Sequence, residues 1–324
     1  QYSQLEDTES AASKKFYDKH NSKTDEYFTV SDLDYFAGRL LEISSTELRG
    51  LPGRYGKYTF WAERKPDWQK PKLLVQKKGN EPSVLLDLEE SSESLDFWYP
   101  SAEGRKILYG TSENGNEQTT IHIIDVTTGS TLPDTIPFAG FTDQGGIVWE
   151  NGSCFIYPRM NGFSKIGAKD KWLLGTKLYR HTIGSDPSAD QLVYGGDLPD
   201  TIMLIPALSS DKRKLYVASC EDELTHKVSI IDLETLKLTP ITNDMSASFA
   251  VKSGRGKVYA LTNYKAPRYR LLMCYEDDVE LCFDDWDEVL PESDDILQDY
   301  WIHKSGSIVA QYSHNVTSRL NIYD

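Results

Sequence analysis

The feature that most constrains this chain is a repeat. From Gly53 onward one unit recurs: a turn opened by Gly or Lys, a strand of four to six apolar residues, a polar loop, a second alternating strand and an Asp-Leu or Asp-Val ending. The copies read GKYTFWAERKPDWQKPKLLVQKKG, GRKILYGTSENGNEQTTIHIIDVTTG, GSCFIYPRM with its later partner KLYRHTIGSD, KRKLYVASCEDELTHKVSIIDLETLK, GKVYALTNYKAPRYRLLMCYEDD and GSIVAQYSHNVTSRLNIYD. Their opening turns fall at Gly56, Gly104, Gly152, Lys212, Gly256 and Gly306, with spacings of 48, 48, 60, 44 and 50 residues. A strand-built period of about 40–50 residues is the signature of propeller blades, because such a sheet buries its faces only against its neighbours.

Composition agrees with that reading. The 19 Tyr, 11 Phe and 7 Trp, with many Val, Ile and Thr, suit half-buried pleated surfaces. The expected fold is all-β: a β-propeller with six recognisable blades over residues 48–324, preceded by an α-helical segment over residues 1–47. A first helix is predicted from about Thr8 to His20. A second is predicted to start at Ser31 as N-cap, with Asp34 three residues on, and to place Leu33, Phe36, Ala37, Leu40 and Leu41 on one face. That apolar stripe needs a partner.

Charge narrows the partners. A formal net charge of −15 argues against nucleic acid and against an anionic membrane surface, since both demand clustered Lys and Arg. No apolar run approaches the ~20 residues of a membrane-spanning helix. The four cysteines, Cys154, Cys220, Cys274 and Cys282, lie far apart without CxxC spacing, as expected of reduced thiols in the cytoplasm. Between Glu276 and Asp299, twelve of 24 residues are acidic; without EF-hand spacing the expectation is a solvated loop between blades, not a calcium site.

Signs of a catalytic engine are absent. The nucleophile elbow G-x-S-x-G does not occur; Gly110-Thr-Ser112-Glu-Asn114 and Gly162-Phe-Ser164-Lys-Ile166 each lack the second Gly, so their serines are expected to be loop hydroxyls. The six histidines show no metal spacing, and His122, on an alternating strand, reads as a packed or edge residue. No nucleotide-binding glycine pattern is present, so neither cofactor nor metal is expected, and no residue is assigned a catalytic role.

The order of pieces nonetheless resembles a known family. YSQLED (residues 2–7) followed by TESAASKKFYDKHN, then GRYGKYTFWAER, LLVQKKG with SVLLDLEE, SAEGRKILYGTSENGNEQTTIHIIDVTTG and LTNYKAPRYRL are similar, in order, to the N-terminal part of the prolyl oligopeptidase family of serine peptidases (family S9). The resemblance covers essentially the whole chain. It implies a seven-bladed, non-clasped propeller capping an α/β-hydrolase domain that carries the Ser-Asp-His triad and cleaves short peptides after proline. GSIVAQYSHNVTSRLNIYD looks like the sixth blade, so the seventh and the hydrolase domain are missing from this sequence, which alone should be inactive.

Two site residues follow from the resemblance. Glu117 matches an acid that, in the family, pairs across the domain interface with an arginine gripping a substrate carbonyl; Gln118 stands where a Trp is usual. Met203, in DTIMLIPALSSD, matches a methionine of the apolar peptide-binding subsite, with core filling as its alternative role. The accompanying aromatic and cysteine positions have no clear counterpart, Gln144 standing at the aromatic one. The implied function is the substrate-gating portion of a prolyl oligopeptidase-like peptidase, partnered by the hydrolase domain and short peptides. The alternative is a stand-alone propeller scaffold that binds a peptide or protein.

Overall fold

The second strand of each blade explains the architecture. The stretches KILYGTS, CFIYPR, KLYVASC and KVYALT are apolar almost without interruption, and nearly every residue in them is buried. A strand with only one covered face would alternate; these have a sheet against both. The computed structural model describes residues 2–8, 10–28, 30–113, 115–140, 146–164, 173–222, 224–242, 245–279 and 283–324, and forms a six-bladed β-propeller.

Blade one holds β1 (Leu48–Arg49), β2 (Gly53–Tyr55), β3 (Tyr58–Arg64), β4 (Lys72–Lys77) and β5 (Ser83–Leu86). Blade two holds β6 (Glu93–Pro100), β7 (Lys106–Glu113), β8 (Thr120–Asp125) and β9 (Ser130–Ile136). Blade three holds β10 (Val148–Asn151), β11 (Cys154–Arg159), β12 (Lys177–Thr182) and β13 (Gln191–Tyr194). Blade four holds β14 (Met203–Leu208), β15 (Lys214–Cys220), β16 (His226–Asp232) and β17 (Leu238–Pro240). Blade five holds β18 (Phe249–Gly254), β19 (Lys257–Thr262), β20 (Arg270–Tyr275) and β21 (Asp287–Leu290). Blade six holds β22 (Ile296–Ile302), β23 (Ile308–His314) and β24 (Thr317–Tyr323). Pairing within every blade is antiparallel, and the first strands of blades three, four and five neighbour one another.

Alternate residues of each second strand enter different cores. Ile107 and Tyr109 pack with Phe60 and Leu73 of blade one, whereas Leu108 packs with Phe155 and Tyr157 of blade three. Leu215 and Val217 face blade three, while Tyr216 and Ala218 face blade five. Each such side chain contributes about 1.5–3 kcal/mol on burial. Five clusters join the six blades in sequence, and among the described residues none joins blade six to blade one. Leu320 and Ile322 of β24 are correspondingly exposed.

The repeat landmarks have a backbone cause. Gly56, Gly104, Lys212, Gly256 and Gly306 all carry positive φ in the turn between a blade's first and second strands. Each blade therefore begins one strand before the landmark visible in sequence. At Gly56 and Gly104 the need is also steric: a Cβ would lie 2.5 Å from the Glu103 and Tyr55 carbonyl oxygens respectively, because these two turns press together. Gly104→Ala should cost at least about 2 kcal/mol, read from the urea midpoint. The recurrent Asp endings are Asx turns: Asp125 Oδ1 accepts from the Thr127 and Thr128 amides, and Asp232 Oδ1 from those of Glu234 and Thr235.

Two expectations need correction. The first helix, α1, spans Ala11–Tyr27 and does not stop near Asn21. Ser22 and Thr24 sit inside the helix with their hydroxyls donating back to the Asp18 and His20 carbonyls, and the N-cap is Ser10, accepting from the Ser13 amide. The second helix, α2, spans Val30–Ser44, so Ser31 lies inside it and is not its N-cap. Its stripe is open to solvent, with Phe36 61% and Leu40 65% exposed. Among the described residues no helix is long and apolar enough to cross a membrane.

Candidate functional site

Antiparallel order within a blade puts the loop between its second and third strands on the same face as the entry to its first strand. Glu117 lies in the β7–β8 loop and Met203 is the first residue of β14. Both therefore stand on one face of the propeller, on blades two and four, with blade three between them.

The Glu117 hairpin is built rigidly from below. Asp96 accepts from Ser112 Oγ at 2.9 Å and from Thr119 Oγ1 at 2.7 Å, and Thr111 Oγ1 donates to Glu93 at 2.9 Å. At the tip, Asn116 Oδ1 accepts from the Gln118 amide at 3.0 Å, and Glu117 takes a φ of 59°. A non-glycine residue in this left-handed region is uncommon and carries strain. Its side chain is exposed and makes no hydrogen bond or ion pair with the described residues.

Met203 is 44% exposed, so it is a surface residue and not core filling. It pairs in register with Cys220, which pairs with His226, forming one row across the rim of blade four. This row borders a cavity of about 620 Å³ between β14 and β18, completed by Ile205 and Phe249. The Phe249 amide lies 3.0 Å from His226 Nδ1, a contact that ties blade four to blade five. Burial pushes the Cys220 thiol up to about 11, so it lines the cavity as a small apolar group and not as a nucleophile. Met203 and Cys220 are 17 residues apart along the chain, and strand pairing brings them together. Gln144 lies outside the described residues.

Elsewhere the polar groups are committed locally. Ser112 is a buried strand residue bound to Asp96 and not a loop hydroxyl; Ser164, in a single helical turn, donates to the Asn161 carbonyl. His122 stacks on Tyr109 at 5.2 Å, and burial holds its pKa below the usual histidine value. Cys154, Cys220 and Cys274 are free thiols. No group of three metal-ligating side chains exists among the described residues. The acidic segment is only partly loop: it contains β21 and the start of β22, and its carboxylates are taken up by Lys265, Arg270, Arg268, His314 and Lys252.

A sequence model described as "Prolyl oligopeptidase, N-terminal beta-propeller domain" matches residues 1–324. The chain belongs to the prolyl oligopeptidase N-terminal propeller family. This propeller is 24% identical to a prolyl endopeptidase of Elizabethkingia meningoseptica across 100% of the chain and 46% of that protein. It is also 24% identical to Protease 2 of Moraxella lacunata across 73% of the chain and 35% of that protein. Among solved structures, one described as part of a study of two prolyl endopeptidases superposes with a TM-score of 0.85 at 22% identity, covering 99% of this chain and 48% of that one. Prolyl oligopeptidase B from Galerina marginata, bound to a 35mer substrate, superposes at 0.81 with 17% identity, covering 100% and 48%. The prolyl oligopeptidase propeller described here thus spans about half the length of these relatives.

Proposed function

We propose that this chain is the substrate-gating portion of a cytoplasmic prolyl oligopeptidase-like serine peptidase that hydrolyses short, proline-containing peptides. The observation that supports the reading most is the match of residues 1–324 to the family's propeller, alongside relatives named prolyl endopeptidases. The chemistry would sit on a hydrolase domain packed against the face that carries Glu117 and Met203. A narrow propeller mouth would admit flexible peptides and exclude folded proteins.

In this reading Glu117 accepts a bidentate pair from an arginine of the hydrolase domain and orients it toward the substrate carbonyl. Its carboxylate, unpartnered among the described residues and set on an anchored turn, suits that role, since a planar guanidinium must be held to act directionally. Met203, Cys220 and Phe249 would offer an adaptable apolar wall to peptide side chains. The hydrolase domain would also cover Leu33, Phe36 and Leu40 of α2.

The test is kinetic. In the chain rejoined to a hydrolase half, Glu117→Ala should lower kcat/KM for a proline-containing peptide by roughly 10- to 100-fold, the worth of a charge-assisted hydrogen bond. Glu117→Gln should retain part of the activity. Unchanged kinetics in both variants would remove Glu117 from the site, and no cleavage by the rejoined protein would favour a peptide-binding scaffold.

A further inference from the structure

A second cavity, of about 410 Å³, opens at the end of blade three where β11 finishes and β12 begins. The end of β11 and the start of β12 lie on the same face as Glu117 and Met203, and between their blades. The cavity is lined by Arg159, Phe163, Lys177, Tyr179, Ser188 and Asp190, among others.

Arg159 is the unusual member. It is only 6% exposed, yet the structure gives it no carboxylate within ion-pair distance among the described residues. Among the described residues its side chain makes one hydrogen bond, from Nη1 to the Pro187 carbonyl at 2.8 Å. Phe163 and Tyr179 hold the guanidinium, with Cζ 4.1 and 3.3 Å from their ring centroids. A buried charge is normally paired, because its desolvation is costly. Arg159 lines the cavity beside Lys177, which likewise has no acidic partner among the described residues.

Asp190 does not fill that role. Its two oxygens are occupied, Oδ1 by His181 Nδ1 at 2.9 Å and Oδ2 by the Tyr157 hydroxyl at 2.8 Å. We propose that this cavity is a subsite for a single carboxylate of a bound peptide, gripped by the Arg159 fork and balanced by Lys177. The fork of a guanidinium matches a carboxylate in two parallel hydrogen bonds, and stacking between aromatic rings fixes its plane beforehand. A monoanion fits better than a phosphate dianion, which would face Asp190 and the field of a chain carrying −15. The subsite rests on the reading that this face meets peptides, and gives that reading a preference for peptides bearing an acidic side chain or a free C-terminus.

The test uses the 324-residue chain with arginine side chains labelled with 15N. Three probes are titrated: N-acetyl-Ala-Glu-amide, N-acetyl-Ala-Gln-amide and N-acetyl-Ala with a free carboxylate. The Arg159 Nε–H resonance should shift with the Glu probe at a Kd at least about tenfold below that for the Gln probe, the gain of one charge-assisted pair. The free-carboxylate probe distinguishes a C-terminal group from a side-chain one by which binds more tightly. Lys177→Gln, at a half-buried position that leaves the Arg159 stacking intact, should cut the Glu preference several-fold. Equal binding of the Glu and Gln probes, or an undiminished preference in Lys177→Gln, overturns the subsite. The peptidase reading is judged separately by the Glu117 kinetics, so the two failures are distinct.

Discussion

His181→Ala is expected to destabilise the propeller by about 3–5 kcal/mol, the cost of removing one partner from a buried ionic group. The residue is fully buried between blades two and three. Its Nε2 lies 3.0 Å from Asp134 Oδ1 on β9, and its Nδ1 lies 2.9 Å from Asp190 Oδ1 in the turn before β13. A neutral ring has one N–H, so one carboxylate would face a lone pair; both contacts are favourable only if the ring is an imidazolium. The substitution leaves Asp134 with the Gly184 amide and Asp190 with the Tyr157 hydroxyl, too little for two buried charges.

The pH dependence has a definite direction. Burial opposes the charge on His181, but the hydrogen bonds and charges of Asp190 and Asp134 outweigh it and raise its pKa above 6.5. Arg159, on the neighbouring strand β11, is the other charged group close by, and it sits beyond Tyr157. A raised folded-state value means the stabilisation is complete below the unfolded value and is lost as pH rises through the folded one. Unfolding free energy from urea titrations should therefore decline on the alkaline side of about pH 6.5. His181→Gln should flatten that part of the profile. An identical slope in the variant would mean that His181 is not charged in the folded protein.

Phe155→Ala is expected to cost about 3–5 kcal/mol as well, because a fully buried aromatic side chain leaves a cavity that rigid sheets close poorly. Phe155 fills the core between blades two and three, with Trp149 and Tyr157 at 5.5 and 5.8 Å. Its ring is also 5.2 Å from that of His181. The two substitutions should therefore be non-additive, with a coupling of about 0.5–3 kcal/mol in a double-mutant cycle, whereas Val316→Ser at a fully exposed turn should be near neutral. Strict additivity of Phe155→Ala and His181→Ala would mean that the packing and the ionic group are independent supports.

Much of the fold was legible because it is local and repeated. Gly56, Gly104, Gly256 and Gly306 mark turns that need a left-handed residue, and Asp125 and Asp232 mark turns that their own side chains close. The second strands announce themselves because both faces are buried. Less legible were the short outer strands and the acidic stretch before β22. There charges outnumber the apolar residues, although Phe283, Trp286 and Leu290 are buried in cores. A serine ahead of an apolar run resembles a cap wherever the helix begins, and Ser31 lies inside α2.

The sequence by itself determined the propeller, its family and the hairpin that presents Glu117, since each depends on residues near one another in the chain. Tertiary structure alone decided the constellations. His181 meets Asp134 across 47 residues, Met203 meets Cys220 and His226 by strand register, and Arg159 has a cavity before it and, among the described residues, no carboxylate beside it. Spacing along a chain encodes turns and strands. Which charge faces which, and which charge faces nothing, is set only when blades close against one another and water leaves the space between them.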